Sequence, residues 1–291
     1  MEIKISVITP SYNRASLLSR CYQSLCSQSM REFEWIIIDD GSTDSTQILV
    51  NKYIKEGKIK INYLYKENGG KHTAHNIGVQ NAKGELVVCL DSDDQFPNGA
   101  LEKLWKYWII RKSNKSIGVI AKRQSIDGKF LCSKFPDNLE SVKMFDLINE
   151  YSFSGDTVLF FKKDILKKCL FPVFDHEAFL PESALYYELD KYGEMLLMDE
   201  ALYIGEYQIN GLTSKYHKLL KNNPIGSAYT YLLSYDKAKK MKLKLKYAIL
   251  TMCYWQKKCK RYYSIPSWFY LLYPISYLYK KFRLDKIIDR I

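Results

Sequence analysis

Apolar and polar positions alternate in blocks along the first third of the chain, and each block predicts one element. Short apolar runs bounded by turn residues are typical of buried strands, whereas apolar residues three and four positions apart indicate helices. Strands are predicted over residues 3–9, 33–39, 59–65 and 86–90. Helices are predicted over residues 15–29, 45–56, 73–82 and 97–112. This alternation favours an α/β fold with a doubly wound, mostly parallel sheet.

The pattern is less regular after residue 112. Further strands are expected near residues 117–121 and 157–162, and Pro10 is expected to end the first strand. We expect one α/β domain over residues 1–235, in two halves that meet at residue 116, followed by a helical extension over residues 236–291.

Polar residues follow three of the predicted strands. The first strand leads into Thr9-Pro10-Ser11-Tyr12-Asn13-Arg14, the second into Asp39-Asp40-Gly41-Ser42, and the fourth into Asp91-Ser92-Asp93-Asp94. The carboxyl ends of parallel strands meet at one edge of a sheet, where ligands bind in folds of this class. We therefore place the site at this edge.

The acidic run after the fourth strand carries the clearest chemistry. Three carboxylates within four residues repel one another unless a cation neutralises them. Mg²⁺ and Mn²⁺ prefer oxygen ligands and often bind substrate phosphates as well. The alternative interpretation is an acidic turn that caps the next helix.

Four motifs together resemble the family 2 glycosyltransferases of the GT-A fold. They cover residues 3–100 in the expected order: residues 7–14, residues 38–44, Glu67–Gly70 with Ala74–Gly78, and residues 91–94. A dinucleotide-binding domain would instead carry a GxGxxG motif after its first strand. One position departs from the family, since His75 stands where an arginine is common.

The resemblance implies a metal-dependent transferase with a DXD motif and a UDP-sugar donor. It assigns nucleotide-sugar binding to Thr9, Pro10, Tyr12, Arg14, Asp40, Lys71, Asn76, Asp91 and Ser92. Asp40 would accept the uracil N3–H, and Lys71 and Asn76 would lie near the ribose or diphosphate. Asp93 would be the main ligand of Mn²⁺ or Mg²⁺, with Asp91, and His217 is a candidate third ligand.

An acceptor hydroxyl also needs a general base. Residues 177–185 resemble the stretch at the acceptor-side helix of these enzymes, and Glu182 is the predicted base. Asp156 and Glu177 are the reserve candidates. The alternative for Glu182 is a carboxylate that only complements the helix dipole. Residues 207–214 resemble the family's loop that closes over the diphosphate.

The net charge of +12 is concentrated at the C-terminal end, where residues 237–291 carry 15 Lys and Arg against 2 Asp and Glu. Between the basic clusters, residues 262–279 are uncharged and rich in tyrosine. Aromatic residues favour the interface between water and lipid, and Lys and Arg bind anionic headgroups. We expect a peripheral membrane anchor, with an aromatic-rich helical pair packed on the protein as the alternative. Nucleic acid is not expected, because the aromatic residues do not interleave with the charges.

Seven cysteines without a CxxC pair indicate neither a disulfide framework nor a zinc site, which fits a reducing cytoplasm. Residues 1–10 predict a strand and not a signal peptide. The sequence therefore predicts a glycosyltransferase at the inner face of a bacterial cell membrane, which extends a lipid-linked glycan in surface polysaccharide synthesis, with inversion. A hexose or N-acetylhexosamine is the expected sugar. The alternatives are a non-catalytic nucleotide-sugar-binding subunit and a nucleotidyltransferase.

Overall fold

The computed structural model describes residues 2–205 and 215–284. Its sheet has eight strands: β1 (Ile5–Ser11), β2 (Phe33–Asp39), β3 (Ile61–Tyr65), β4 (Leu86–Cys89), β5 (Ser116–Gln124), β6 (Ser141–Val142), β7 (Thr157–Lys162) and β8 (Glu194–Ile204). They lie in the order β3-β2-β1-β4-β7-β5-β8-β6. The α-helices are α1 (Leu18–Cys26), α2 (Thr46–Glu56), α3 (Lys71–Asn81), α4 (Ala100–Arg111), α5 (Met144–Asn149), α6 (Lys163–Leu166), α7 (Ser183–Leu189), α8 (Tyr216–Asn222), α9 (Pro224–Lys237), α10 (Met241–Tyr254) and α11 (Tyr273–Tyr279).

Strands β1 to β4 pair in parallel through β1–β2, β1–β4 and β2–β3. Strand β7 is antiparallel to both β4 and β5, and the short β6 is antiparallel to β8. The predicted mostly parallel α/β sheet is confirmed. The crossover connections place the carboxyl ends of β1, β2 and β4 at the same edge, as the polar residues after those strands predicted.

The prediction that Pro10 ends the first strand was wrong, because β1 continues to Ser11. The carbonyl of Ile8 accepts a hydrogen bond from Leu90 on the β4 side, and alternation turns the backbone of Pro10 to that same side. The β1–β4 ladder has already ended at Ile8. Proline therefore removes no ladder hydrogen bond there.

The core on one face of the sheet is built from large apolar side chains that the short strand runs supply. Trp35 on β2, Trp108 on α4 and Phe160 on β7 are among its largest fully buried side chains. On α3, a Cβ added to Gly78 would lie 2.5 Å from Ile8 and 2.8 Å from Ile38. This glycine lets α3 lie close to β1 and β2, and so sets the position of the site residues that α3 carries.

Backbone proximity divides the chain into two units, of residues 1–170 with 189–206, and of residues 171–188 with 207–291. The first contains the whole sheet. The described part of the second is helical, and Ala248, Met252, Phe269 and Leu272 form a small apolar core within it. The predicted boundary after residue 235 falls in α9 and stays a prediction. Within residues 2–205 and 215–284, no helix combines the length and the apolar character needed to cross a bilayer.

Candidate functional site

Asp40, the residue after β2, is held by the loop that follows β3. Its carboxylate accepts hydrogen bonds from the Lys66 ammonium at 2.5 Å and from the backbone N–H groups of Gly69 at 3.0 Å and Gly70 at 2.8 Å. The Asn68 side-chain amide lies 3.4 Å from the same carboxylate. The negative charge is therefore compensated although the residue is buried. These contacts order the loop that leads into α3.

Thr9, expected to line the nucleoside site, is fully buried. Its hydroxyl accepts a hydrogen bond from the Trp35 indole N–H at 2.8 Å and donates one to the Leu90 carbonyl at 2.7 Å. These two hydrogen bonds join β1 to Trp35 on β2 and to the residue just after β4. Tyr12, three residues further along the chain, exposes about half of its surface, so it is available to a ligand.

The carboxylate of Asp91, just after β4, forms an ion pair of 2.7 Å with the Lys71 ammonium at the start of α3. The backbone N–H of Asp91 donates to the Tyr203 hydroxyl at 2.9 Å. Ser92 is buried, and the Arg20 guanidinium approaches the backbone carbonyl of Asp93 at 3.4 Å. Two of the predicted donor-binding residues, Lys71 and Asp91, are therefore in direct contact.

Asp94, the last acidic residue of the run, is almost completely buried and pairs with the Arg123 guanidinium at 2.8 Å. Burial raises the pKa of the Asp94 carboxyl to about 7, against the lowering effect of Arg123 and together with the charges of Asp91 and Asp93. Arg123 also lies 3.9 Å from Asp156 and 5.0 Å from the centre of the Tyr203 ring. The reserve base Asp156 thus belongs to the same charged cluster as the acidic run.

The acidic run leaves one carboxylate for a ligand. Within residues 2–205 and 215–284, no three side chains of His, Cys, Asp or Glu are grouped so that they would hold a metal ion. In the same residues the carboxylate of Asp93 has no hydrogen-bond or ion-pair partner, and the residue is partly exposed. Mg²⁺ sites in phosphate-binding enzymes often use only one or two carboxylates plus the substrate's phosphates. Asp91 and Asp93 fit such a donor set.

Two of the three base candidates, Glu177 and Glu182, lie in the second unit. Glu177 is buried, and its carboxylate accepts the backbone N–H groups of Ile225 and Gly226 at 2.7 Å each, at the start of α9. Burial raises the pKa of Glu177, and these two amides lower it in part. Glu177 therefore caps a helix. Glu182, by contrast, is exposed just before α7 and accepts the Tyr186 hydroxyl at 2.9 Å.

Of the remaining predicted site residues, Pro10 lies in β1 and Arg14 lies between β1 and α1, whereas Asn76 and His217 lie on α3 and α8. His72 and His75 are buried on α3, and Asn76 is partly buried on the same helix. His217 is the second residue of α8, and the centres of its ring and that of Tyr216 lie 6.0 Å apart in an edge-on arrangement. Residues 207–214, which resemble the closing loop, lie outside the described residues.

Sequence reasoning missed the partners that hold these residues. Arg123 and Tyr203 contact the acidic run from β5 and β8, and Lys66 contacts Asp40 from the loop after β3. The only signal for Arg123 was its position in a polar end of an otherwise apolar strand. Its partner, 29 residues away in sequence, is not indicated by any local pattern.

Comparison with known proteins shows the family and the fold. The model of glycosyl transferase family 2 matches residues 6–170, more than half of the 291 residues. TarP of Staphylococcus aureus strain N315, a poly(ribitol-phosphate) beta-N-acetylglucosaminyltransferase, is 34% identical over 171 residues, which are 57% of this chain and 50% of TarP. An uncharacterized glycosyltransferase of Nostoc sp. PCC 7120 is 30% identical over 179 residues, 59% of this chain and 54% of that protein. The chain thus spans about half the length of these curated relatives.

Two solved structures resemble the chain along nearly its whole length. S. aureus TarS 1–349 in complex with UDP-GlcNAc has a TM-score of 0.61 at 18% identity, covering 98% of this chain and 89% of TarS 1–349. A mannosyltransferase of Pyrobaculum calidifontis in complex with GDP-Man and Mn²⁺ has a TM-score of 0.58 at 16% identity, covering 99% and 86%. At such identities the likeness establishes the fold alone, and the predicted GT-A fold is confirmed.

The buried His72 makes stability depend on pH. Burial lowers its pKa from 6.5 to about 4, with Asp40 offsetting part of the effect. Between these values the unfolded chain binds a proton that the folded chain does not. The contribution is therefore fully present above pH 6.5 and is lost as the pH falls towards 4. The slope from this one group is at most about 1.4 kcal/mol per pH unit.

We expect His72→Gln to flatten the fall in the free energy of unfolding between pH 6.5 and 4, measured by urea denaturation at several pH values. His176→Gln is the matched control, since His176 is exposed and its replacement should leave the slope as in the wild type. Equal slopes for the wild type and His72→Gln would contradict the assignment.

Proposed function

Because the chain belongs to glycosyl transferase family 2, we propose that it transfers a sugar from a UDP-sugar to a hydroxyl of a glycan acceptor in bacterial surface polysaccharide synthesis. The observation that carries the proposal is the carboxylate cluster after β4, in which Lys71 pairs with Asp91 while the Asp93 carboxylate has no partner among the described residues. The activity that TarP's name states and the UDP-GlcNAc complex of TarS support a UDP-linked hexose or N-acetylhexosamine.

The donor nucleotide would lie at the edge formed by the ends of β1, β2 and β4. Tyr12 is exposed there, and it would contact the nucleoside together with Pro10 and Arg14. Asp40 would accept the uracil N3–H in place of its longest contact, the 3.4 Å approach of the Asn68 amide. Thr9 would support the nucleoside site indirectly, through its hydrogen bonds to the Trp35 indole and the Leu90 carbonyl.

The diphosphate would be held by Lys71, Asn76 and a divalent cation, Mn²⁺ or Mg²⁺. Asp93 and Asp91 would bind the cation, with His217 as the candidate third ligand, and Ser92 would lie beside the sugar. A bound cation neutralises the charge that grows on the leaving diphosphate. Lys71 adds a positive charge at the same place, because its ammonium already lies against Asp91.

Glu182 is proposed as the general base. Its exposed carboxylate would take the proton of the acceptor hydroxyl as that oxygen bonds to the anomeric carbon. The bond between the anomeric carbon and the diphosphate oxygen breaks in the same step, and UDP leaves. Attack opposite the leaving group inverts the anomer. Asp156 and Glu177 stay reserve candidates, although Arg123 and the start of α9 engage them.

The second unit supplies the argument for membrane association. Between residues 268 and 282, large apolar side chains are exposed: Trp268, Tyr270, Leu271, Tyr273, Ile275, Tyr277, Leu278, Tyr279 and Phe282. Only Phe269, Leu272 and Ser276 of this stretch are buried. Exposed apolar patches of this kind mark interaction surfaces, and the flanking basic residues are complementary to anionic headgroups.

We therefore propose that residues 236–291 hold the enzyme at the inner face of the cell membrane, where it reaches a glycan carried on a lipid diphosphate. In this proposal, residues 1–116 bind the donor and residues 117–235 bind the acceptor. The apolar side chains would lie at the level of the headgroups, in the manner of an interfacial helix.

The donor chemistry is tested by diphosphate-nucleotide release from a panel of nucleotide sugars, with Mn²⁺ or with EDTA. We expect release from one UDP-sugar only, dependent on the metal, and at least about a hundredfold slower in Asp93→Asn because a charged ligand is lost. The control is Asp127→Asn, on an exposed loop. A wild type that binds no uridine nucleotide would overturn the proposal. A wild type that instead forms a nucleotide sugar and pyrophosphate from a nucleoside triphosphate and a sugar phosphate would be a nucleotidyltransferase.

The base is tested by a pair of matched substitutions in the second unit. Glu182→Gln should lower the rate of UDP release by about 10²–10⁴-fold and leave UDP affinity and thermal stability unchanged. Glu177→Gln should lower the melting temperature instead, because an amide cannot accept both backbone N–H groups at the start of α9. A full rate in Glu182→Gln would refute its role as the base.

Membrane association is tested by co-sedimentation of the full chain with phosphatidylcholine vesicles, with and without phosphatidylglycerol. We expect binding to the anionic vesicles, weakened by salt and by the triple substitution Leu271→Ser, Ile275→Ser, Leu278→Ser. Ile110→Ser, which changes an equally exposed residue of α4, should bind as the wild type does. A concentration-dependent dimer without vesicle binding would assign the apolar surface to a second copy of the chain.

A further inference from the structure

Asn13 adopts a backbone conformation that its neighbours in β1 do not. Its φ of +52° lies in the left-handed region, which residues other than glycine seldom adopt and which asparagine tolerates best. The chain bends here just after β1, and Asn13 lies between Tyr12 and Arg14. A left-handed asparagine at this point indicates that the surrounding contacts fix the turn.

Those contacts come from the loop after β2. The Asn13 side-chain oxygen accepts the backbone N–H groups of Thr43 at 2.8 Å and Asp44 at 3.3 Å. The Asn13 backbone N–H donates to the Ser42 hydroxyl at 2.9 Å. Close by, the backbone N–H of Ala15 donates to the Asp44 carboxylate at 3.1 Å. Hydrogen bonds in both directions therefore join two loops that follow different strands.

The hydrogen bonds between β1 and β2 do not connect these two loops. The β1–β2 pairing ends at Ser11 and Asp39, and one further backbone bond joins Asp40 to Ser11. Beyond that point, Asn13 and the carboxylate of Asp44 make the described hydrogen bonds between the two loops. Loops without such hydrogen bonds have high conformational entropy, which is lost when a ligand orders them.

We propose that Asn13 is a positioning residue for the donor nucleotide: it locks the loop that carries Tyr12 and Arg14 to the loop that begins with Asp40. The inference rests on the proposed function, because it assumes that these three residues face one nucleoside. Asn13 itself need not touch the ligand. Its loss would raise the cost of ordering both loops at the moment of binding.

Two substitutions separate the hydrogen bonds from the backbone conformation. Asn13→Gly permits the left-handed turn but removes the acceptor oxygen, whereas Asn13→Asp keeps both an acceptor oxygen and tolerance of the turn. We expect Asn13→Gly to raise the Kd for UDP and the KM for the donor by about tenfold, with kcat changed much less. Asn13→Asp, assayed at physiological salt to screen the added charge, should restore both within about threefold.

The matched control is Asn138→Gly, since Asn138 is a second exposed, left-handed asparagine with φ of +64°. It should change neither UDP affinity nor KM. UDP binding is measured by calorimetry and folding by thermal unfolding, which Asn13→Gly should leave within a few degrees of the wild type. Wild-type UDP affinity in Asn13→Gly, with turnover intact, would overturn the inference and leave the proposed function standing. Absence of UDP binding by the wild type itself would contradict both the inference and the proposed function.

Discussion

Five aspartates lie at or just after the ends of two strands of one sheet, and the need to compensate their charge organises this edge of the sheet. Asp39 accepts the Tyr63 hydroxyl and the Ser42 backbone N–H, Asp40 takes Lys66 and two glycine amides, Asp91 takes Lys71, and Asp94 takes Arg123. Buried carboxylates without such partners would cost several kcal/mol each or bind protons. In the described residues Asp93 alone lacks one, and it is the carboxylate that we assign to the cation.

The partners also connect the loops of the site in series. Asn13 joins the loop after β1 to the loop after β2, Asp40 joins that loop to the one after β3, and Lys71 at the start of α3 reaches Asp91 after β4. The proposed donor site thus consists of four short connections joined to one another by hydrogen bonds and an ion pair. A fold that brings strand ends together supplies the geometry, and the hydrogen bonds supply the rigidity that catalysis requires.

The sequence predicted what is encoded locally. The apolar runs located the first four strands, and the polar residues after them located the edge, because parallel strands must align their ends. What it did not predict depends on distant neighbours. The burial of Thr9, whose hydroxyl accepts the Trp35 indole N–H, was not predicted, nor was the capping of α9 by Glu177 from a position 48 residues earlier. Arg123 was not identified at all, since only the folded sheet brings β5 near the acidic run.

The buried pair of Asp94 and Arg123 has an evolutionary consequence. Replacing Arg123 alone removes the cation that pairs with the buried Asp94, and breaking a buried ion pair in this way costs about 3–5 kcal/mol, whereas replacing both residues by well-packed apolar ones can be nearly neutral. Evolution from this ion pair to an apolar pair therefore passes through a destabilised single substitution. Homologues should therefore carry both residues or neither more often than one alone.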